Sequence, residues 1–227
     1  MQSHQPVPLW LWRGAAWGLG LTLIAIIALA GALSLGLADP PRAGPLLWKD
    51  DFKGGVARWA FSPPEGGMLA PEGGALLADF RTAAPDQYAL GLTRGPGGDF
   101  TLEVACAQTS GAAGLQAGAA CGLVFGWLDE ANYSAVLVNG NGYAQVYGLQ
   151  DGERTDWFEW QQWPHVLVGT ASNRLRVDVR GEEVTLRIND ERLAQITADS
   201  GGRIGLLARS SGPSRVVFSW VKLWAIP

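Results

Sequence analysis

Whatever chemistry this chain of 227 residues performs must come from two cysteines, two histidines, scattered acids and a rich set of aromatic side chains. Nucleophilic Ser/His/Asp chemistry needs an imidazole that the fold positions. His4 lies in an N-terminal tail ahead of an apolar run, which leaves His165, just after Trp163-Pro164. No G-x-S-x-G elbow, Walker A sequence or H-E-x-x-H stretch accompanies it. The adjacent acids Asp129-Glu130 and Glu182-Glu183 fall at turn signals, where solvated turn carboxylates are the plainer reading. Cys106, Cys121 and the two His are too widely separated for a metal-site motif. The chain reads as a non-enzyme.

Binding chemistry has better candidates. Tyr143, Gln145 and Tyr147 recur with the strand period of two and share one face. Flat rings beside amide groups suit a sugar. The alternative is cross-strand packing against Val136 and Val138, which a turn at Asn139-Gly140 would place opposite Gln145 and Tyr143. Trp157, Trp160 and Trp163 form a second candidate group at i, i+3 and i+6, with Asp156 and Glu159 as a potential helix-cap pair. Pro164 limits any helix there to a short piece, and the segment stays open between helix and strand. An exposed Trp cluster would mark an interface with protein, glycan or membrane.

These residues sit among many short strand patterns, from Leu46–Lys53 to Arg215–Trp224, separated by Gly- and Asn-rich turns. That organisation argues an all-β sandwich or jelly roll of two antiparallel sheets. Phe100, Leu102, Val104 and Cys106 alternate along one strand, and Cys121, Leu123, Phe125 and Trp127 along the next. The Gly-rich Ser110–Gly118 stretch would join them as a hairpin, with Cys106 opposite Cys121. The pair then forms a disulfide, which needs an oxidising compartment. Two buried thiols packing as small hydrophobes are the alternative.

Ahead of the strands, Gly14 to Ala38 is a run of 25 residues without a charged side chain. At about 1.5 Å per helical residue it can cross a hydrocarbon core of about 30 Å. It exceeds a signal h-region of about 7–15 residues, and Trp10, Trp12 and Trp17 suit a headgroup layer. Ala28-Leu29-Ala30 and Gly36-Leu37-Ala38 nevertheless offer small-residue cleavage sites. The expectation is a retained single-pass helix at 14–38 after a short tail (1–13), in contact with membrane lipid. A Pro/Gly linker at 39–47 would follow, then one domain at 48–227. Flanking Lys and Arg do not set the orientation; the short tail and the cysteines favour a cytoplasmic N-terminus and an extracytoplasmic domain. Ala28, Ala32 and Gly36 recur every fourth residue, a small-residue face that would let a helix of another membrane subunit approach. A net charge of −4 with 17% charged residues provides no basic footprint for nucleic acid.

In order along the chain stand Asp50-Asp51-Phe52 with Trp59, Asp99-Phe100, Gly122-Leu123-Val124-Phe125, Asn132-Tyr133 and Gly142-Tyr143. Asn173-Arg174-Leu175-Arg176-Val177 with Gly181, Ile188-Asn189-Asp190, Gly205-Leu206 and Phe218 follow. This series resembles the concanavalin A-like lectin/glucanase superfamily, especially its bacterial laminin G-like and family 16-like accessory domains. The resemblance implies a two-sheet jelly roll whose concave face often carries ligand. Two departures stand out. The closely spaced Glu-x-Asp-x-x-Glu acids of the related hydrolases are missing, so the carboxyl pair about 5–5.5 Å apart that retaining chemistry requires has no source. Ser219-Trp220 also replaces the Asp that many relatives place after the Phe, which leaves Asp50 and Asp51 as the remaining candidates for a structural calcium. The expected function is therefore a membrane-anchored, non-catalytic interaction module, an accessory or assembly subunit. A glycan-binding module of the cell envelope is the alternative, and a glycoside hydrolase relative the third reading.

Overall fold

The computed structural model describes residues 9–34, 44–54, 57–82, 87–109 and 119–226. The chain divides into two compact units, residues 1–42 and 43–227. The described residues of the first form one helix, α1 (Leu9–Ser34), in which Trp12–Gly31 is long and apolar enough to cross a membrane. Its one hydroxyl in mid-run is satisfied internally: Thr22 Oγ1 donates to the Gly18 carbonyl at 2.9 Å. The small-residue face expected at Ala28, Ala32 and Gly36 falls partly outside the described residues. So do most of the Pro-rich spacer and all of the Ser110–Gly118 connection.

The second unit is built of antiparallel strands. In chain order they are β1 (Leu46–Asp50), β2 (Ala60–Ser62), β3 (Met68–Glu72), β4 (Ala75–Phe80), β5 (Gln87–Arg94), β6 (Phe100–Thr109), β7 (Ala120–Asp129) and β8 (Asn132–Asn139). Then come β9 (Tyr143–Gln150), β10 (Glu153–Gln162), β11 (Asn173–Arg180), β12 (Glu183–Ile188), β13 (Glu191–Thr197), β14 (Arg203–Ser210) and β15 (Ser214–Ala225). Sheet A has eight strands in the order β13-β12-β11-β6-β15-β4-β3, with β1 also paired to β15. Sheet B has seven, ordered β10-β9-β8-β7-β14-β5-β2. The two form a sandwich, the expected fold class.

Between the sheets the alternating apolar residues meet. Phe80, Phe100, Phe125 and Phe218 are fully buried there with Leu76, Leu102, Leu123, Leu175 and Leu186. Where β1 ends, Phe52 turns the chain at a φ of 58° and is itself buried. Asp50 fixes that corner: Oδ1 accepts the Phe52 N–H at 2.8 Å, and Oδ2 accepts the Trp59 indole N–H at 2.8 Å.

Two local expectations are corrected, and one segment left open is resolved. β6 and β7 are not a hairpin: β6 lies in sheet A between β11 and β15, and β7 lies in sheet B between β8 and β14. Cys106 and Cys121 still form a disulfide, but it crosses the interior from one sheet to the other, with a Cα–Cα distance of 6.3 Å. An inward-facing alternation is the same whether two strands share a sheet or face each other, so periodicity could not separate the two arrangements.

The β8–β9 turn is also one residue longer than expected. Gly142 adopts a φ of 87°, and the Asn139 side chain accepts the N–H groups of Asn141 and Tyr143. The pairing therefore shifts by one: Leu137, not Val136, lies opposite Gln145, and Val138 lies opposite Ala144, not Tyr143. Finally, the segment left open around the three Trp is strand β10, with register shifts between Asp156 and Phe158 and between Phe158 and Gln161.

Candidate functional site

Sheet B carries a second apolar layer on the face turned away from sheet A. Leu92, Ala120, Val124, Ala135, Leu137, Tyr147 and Leu207 are buried in it. All seven come from sheet B strands, whereas the interior core draws on both sheets. Outward residues on a plain solvent face would be exposed; here larger side chains lie across them.

Arg154 is central to that cover. Its Nε and Nη2 donate to Asp156 Oδ2 and Oδ1 at 2.9 and 2.8 Å, a bidentate pair made possible by the two-residue period of β10. The same guanidinium lies 4.3 Å from the centre of the Tyr147 ring. Gln145 Nε2 donates to Asp156 Oδ1 at 3.0 Å. Tyr147 and Tyr133 bring their hydroxyls to 3.3 Å, and Tyr133 stacks on Trp127 with centroids 4.8 Å apart. Tyr143 meets Trp160 across β9 and β10 at 6.4 Å. Ala120, Leu137, Gln145, Arg154, Trp160 and Arg209 line a depression of about 380 Å³ on this face.

Four of the candidate residues are thus gathered: Tyr143, Gln145, Tyr147 and Trp160. They differ in access. Tyr147 is almost fully buried and Gln145 nearly so, while Tyr143 is half-buried and Trp160 is exposed at 39%. The other two tryptophans are elsewhere. The register shifts in β10 turn Trp157 and Phe158 both toward the interior, and Trp163 packs there too, edge-on to Phe158 at 5.9 Å. Trp157 lines a cleft of about 610 Å³ at the sandwich end, with Gly148, Asp151, Thr155, Glu182 and Asp199 among its walls. Arg154 and Arg209 were not singled out from sequence, and Asp156 and Tyr133 were read there in other roles, as half of a helix-cap pair and as part of the family resemblance. Reading 153–162 as a strand would have found Arg154 and Asp156, since residues at i and i+2 share a face.

The electrostatics of this face do not suit acid catalysis. The Arg154 hydrogen bonds hold the Asp156 carboxyl below the usual carboxylate range, whereas a general acid needs the opposite. Asp156 in turn raises Arg154. Burial pushes the Tyr147 and Tyr133 phenols up, so both stay protonated as hydrogen-bonding groups. Among the described residues burial raises the Glu103 carboxyl, which lies on sheet A and is ion-paired to Arg174 at 3.1 Å. Both Asp50 oxygens are already accepting hydrogen bonds. Among the described residues, no three His, Cys, Asp or Glu side chains are grouped to hold a metal ion.

No family model and no curated protein matches the chain. Solved structures do resemble it. A carbohydrate-binding module, CBM66, from Bacillus subtilis superposes with a TM-score of 0.52 at 18% identity, covering 71% of this chain and 92% of that one. The carbohydrate recognition domain of Emp47p gives 0.57 at 15% identity, with 82% and 99% covered. The GH43 protein BlXynB from Bacillus licheniformis gives 0.60 at 14% identity; the match covers 78% of this chain but 39% of the longer one. At these identities the likeness is one of fold alone, a β-sandwich of two antiparallel sheets.

Proposed function

We propose that the chain is a non-catalytic, glycan-binding module held at a membrane by α1, with the outward face of sheet B as its binding surface. The observation that carries this reading is the convergence of Gln145, Arg154 and Trp160 on one depression beside Asp156, with Tyr143 packed against Trp160. An indole and a phenol offer flat apolar area to a sugar ring, and the amide and guanidinium offer donors to its hydroxyls. The names of CBM66 and the Emp47p domain support a saccharide as the ligand class.

The lowered carboxyl of Asp156 favours binding over hydrolysis, and the reading invokes no cofactor. The disulfide favours an oxidising, extracytoplasmic location for the sandwich, with the N-terminus of α1 on the cytoplasmic side. An accessory or assembly role beside other membrane subunits is the second reading, supported by the length and apolarity of α1. The test is a glycan array probed with the detergent-solubilised full chain and its Trp160→Ala and Tyr143→Ala variants. Saccharide binding lost in both variants supports the proposal, and an array without binding removes it.

A further inference from the structure

We propose that one end of the outward face of sheet A, formed by Leu46, Lys49, Trp220, Lys222 and Trp224, docks on the phosphate-bearing headgroup layer of the membrane that α1 enters. This surface is distinct from the glycan face of sheet B, and the proposal rests on the anchor reading given above. β1 pairs with the last part of β15, setting Leu46 opposite Trp224 and Lys49 directly opposite Lys222. Like charges facing each other across a strand pair oppose the pairing. The acid across the other edge of β15, Glu103 opposite Lys222, relieves them only in part, because it attracts Lys222 while it is ion-paired to Arg174 at 3.1 Å. The Lys222 ammonium instead lies between two indoles, 4.3 Å from the Trp220 ring and 5.8 Å from the Trp224 ring.

An anionic layer supplies what the lysine pair lacks. On a chain of net charge −4, such a pair is also a local exception that selects for an anionic surface. Indoles flanked by Lys match the side chains that occupy the membrane–water boundary, where a ring needs one apolar and one wet side. Leu46 and the adjoining Leu47 are 53% and 49% exposed, an apolar edge that water does not favour. Chain length makes the contact reachable. Nine residues separate Ser34, the last of α1, from Gly44, so the tether between them spans at most about 35 Å.

The full chain reconstituted in nanodiscs tests this through tryptophan emission. The discs contain phosphatidylglycerol and lipids brominated near the headgroup, which quench indoles at the interface. Wild type is compared with Trp220→Phe/Trp224→Phe, with Lys49→Glu/Lys222→Glu, and with Trp10→Phe/Trp12→Phe/Trp17→Phe. Removing the two sheet indoles should take away roughly two fifths of the quenched signal, two of five boundary indoles. The double-Glu variant should lose the same share with its indoles intact. Quenching identical to wild type in both sheet variants overturns the docking proposal. If the helix variant leaves quenching unchanged, the anchor reading falls instead. Equal quenching in discs of zwitterionic lipid alone would overturn the role given to the lysine pair.

Discussion

The Trp157 indole lies across Gly148 of the neighbouring strand, where a β-carbon would stand 2.4 Å from the ring's Cη2. The absence of a side chain on β9 is what lets an indole of β10 fold flat against the sheet end and close the interior. Gly148→Ala should therefore push the indole out, with a loss of about 1–3 kcal/mol. Denaturant unfolding would measure the loss, and a red-shifted tryptophan emission would report the displaced ring.

Cys106 and Cys121 should matter to stability in proportion to the chain they close. Their sequence separation is 15, and removing a cross-link over a loop of that size costs about 3 kcal/mol in the chain-entropy treatment. Cys106→Ser/Cys121→Ser should lower the denaturation midpoint while leaving the β-sheet circular dichroism of the native state unchanged. Reduction of the wild type should shift the midpoint by the same amount.

On the outward face of sheet B, Trp160→Ala and Tyr143→Ala should each weaken binding of the best glycan at least roughly tenfold, equivalent to about 1.4 kcal/mol. Their side chains are exposed and half-buried, so stability should change little. Tyr147→Ala should instead destabilise the fold, since that ring is buried beneath Arg154. Titration by calorimetry, beside thermal melts, would separate the two outcomes.

Acid should weaken the fold through Asp156. Its folded pKa lies below the unfolded value of about 4, so the stability it adds is complete above that pH. The contribution is lost as pH falls through the folded value. Asp79 follows the same course: burial pushes it up, but Arg81 and Arg215 bring it down overall. Asp156→Asn should flatten the acid limb of a stability–pH profile below about pH 4 and leave the neutral region with a constant offset. No polysaccharide should be hydrolysed by either form.

Much of this is legible in the amino-acid sequence. The alternation of Phe100, Leu102, Val104 and Cys106 gives the inward face of β6 directly, and the pairing of Cys106 with Cys121 is present as expected. The sheet to which each strand belongs was not legible, because an inward face looks the same from either side of a sandwich. At Gly142 one additional loop residue with a positive φ moved the β8–β9 register, a choice that Asn-Gly-Asn-Gly leaves open. The candidate face was half visible: Tyr143, Gln145 and Tyr147 followed from period two. Trp160 shares the parity of Arg154 and Asp156 and Trp157 does not, so a strand reading of 153–162 would have sorted them; what the bulge changes is Phe158, which turns inward beside Trp157. A bulge has no signature in side-chain periodicity, since it is the interruption of that periodicity.

Those bulges have a bearing on how copies of the chain tolerate one another. β10 is the outermost strand of sheet B, and a flat outermost strand invites a second molecule to continue the ladder. Two interruptions within ten residues spoil that template, and the opposite border of the sheet is a strand of three residues. In sheet A, Pro71 removes a donor from the border strand β3. On the anchored reading proposed above, copies confined to a plane would collide far more often than proteins free in three dimensions. The irregular borders of this sandwich would keep such neighbours soluble and separate, so that crowding need not become fibre growth.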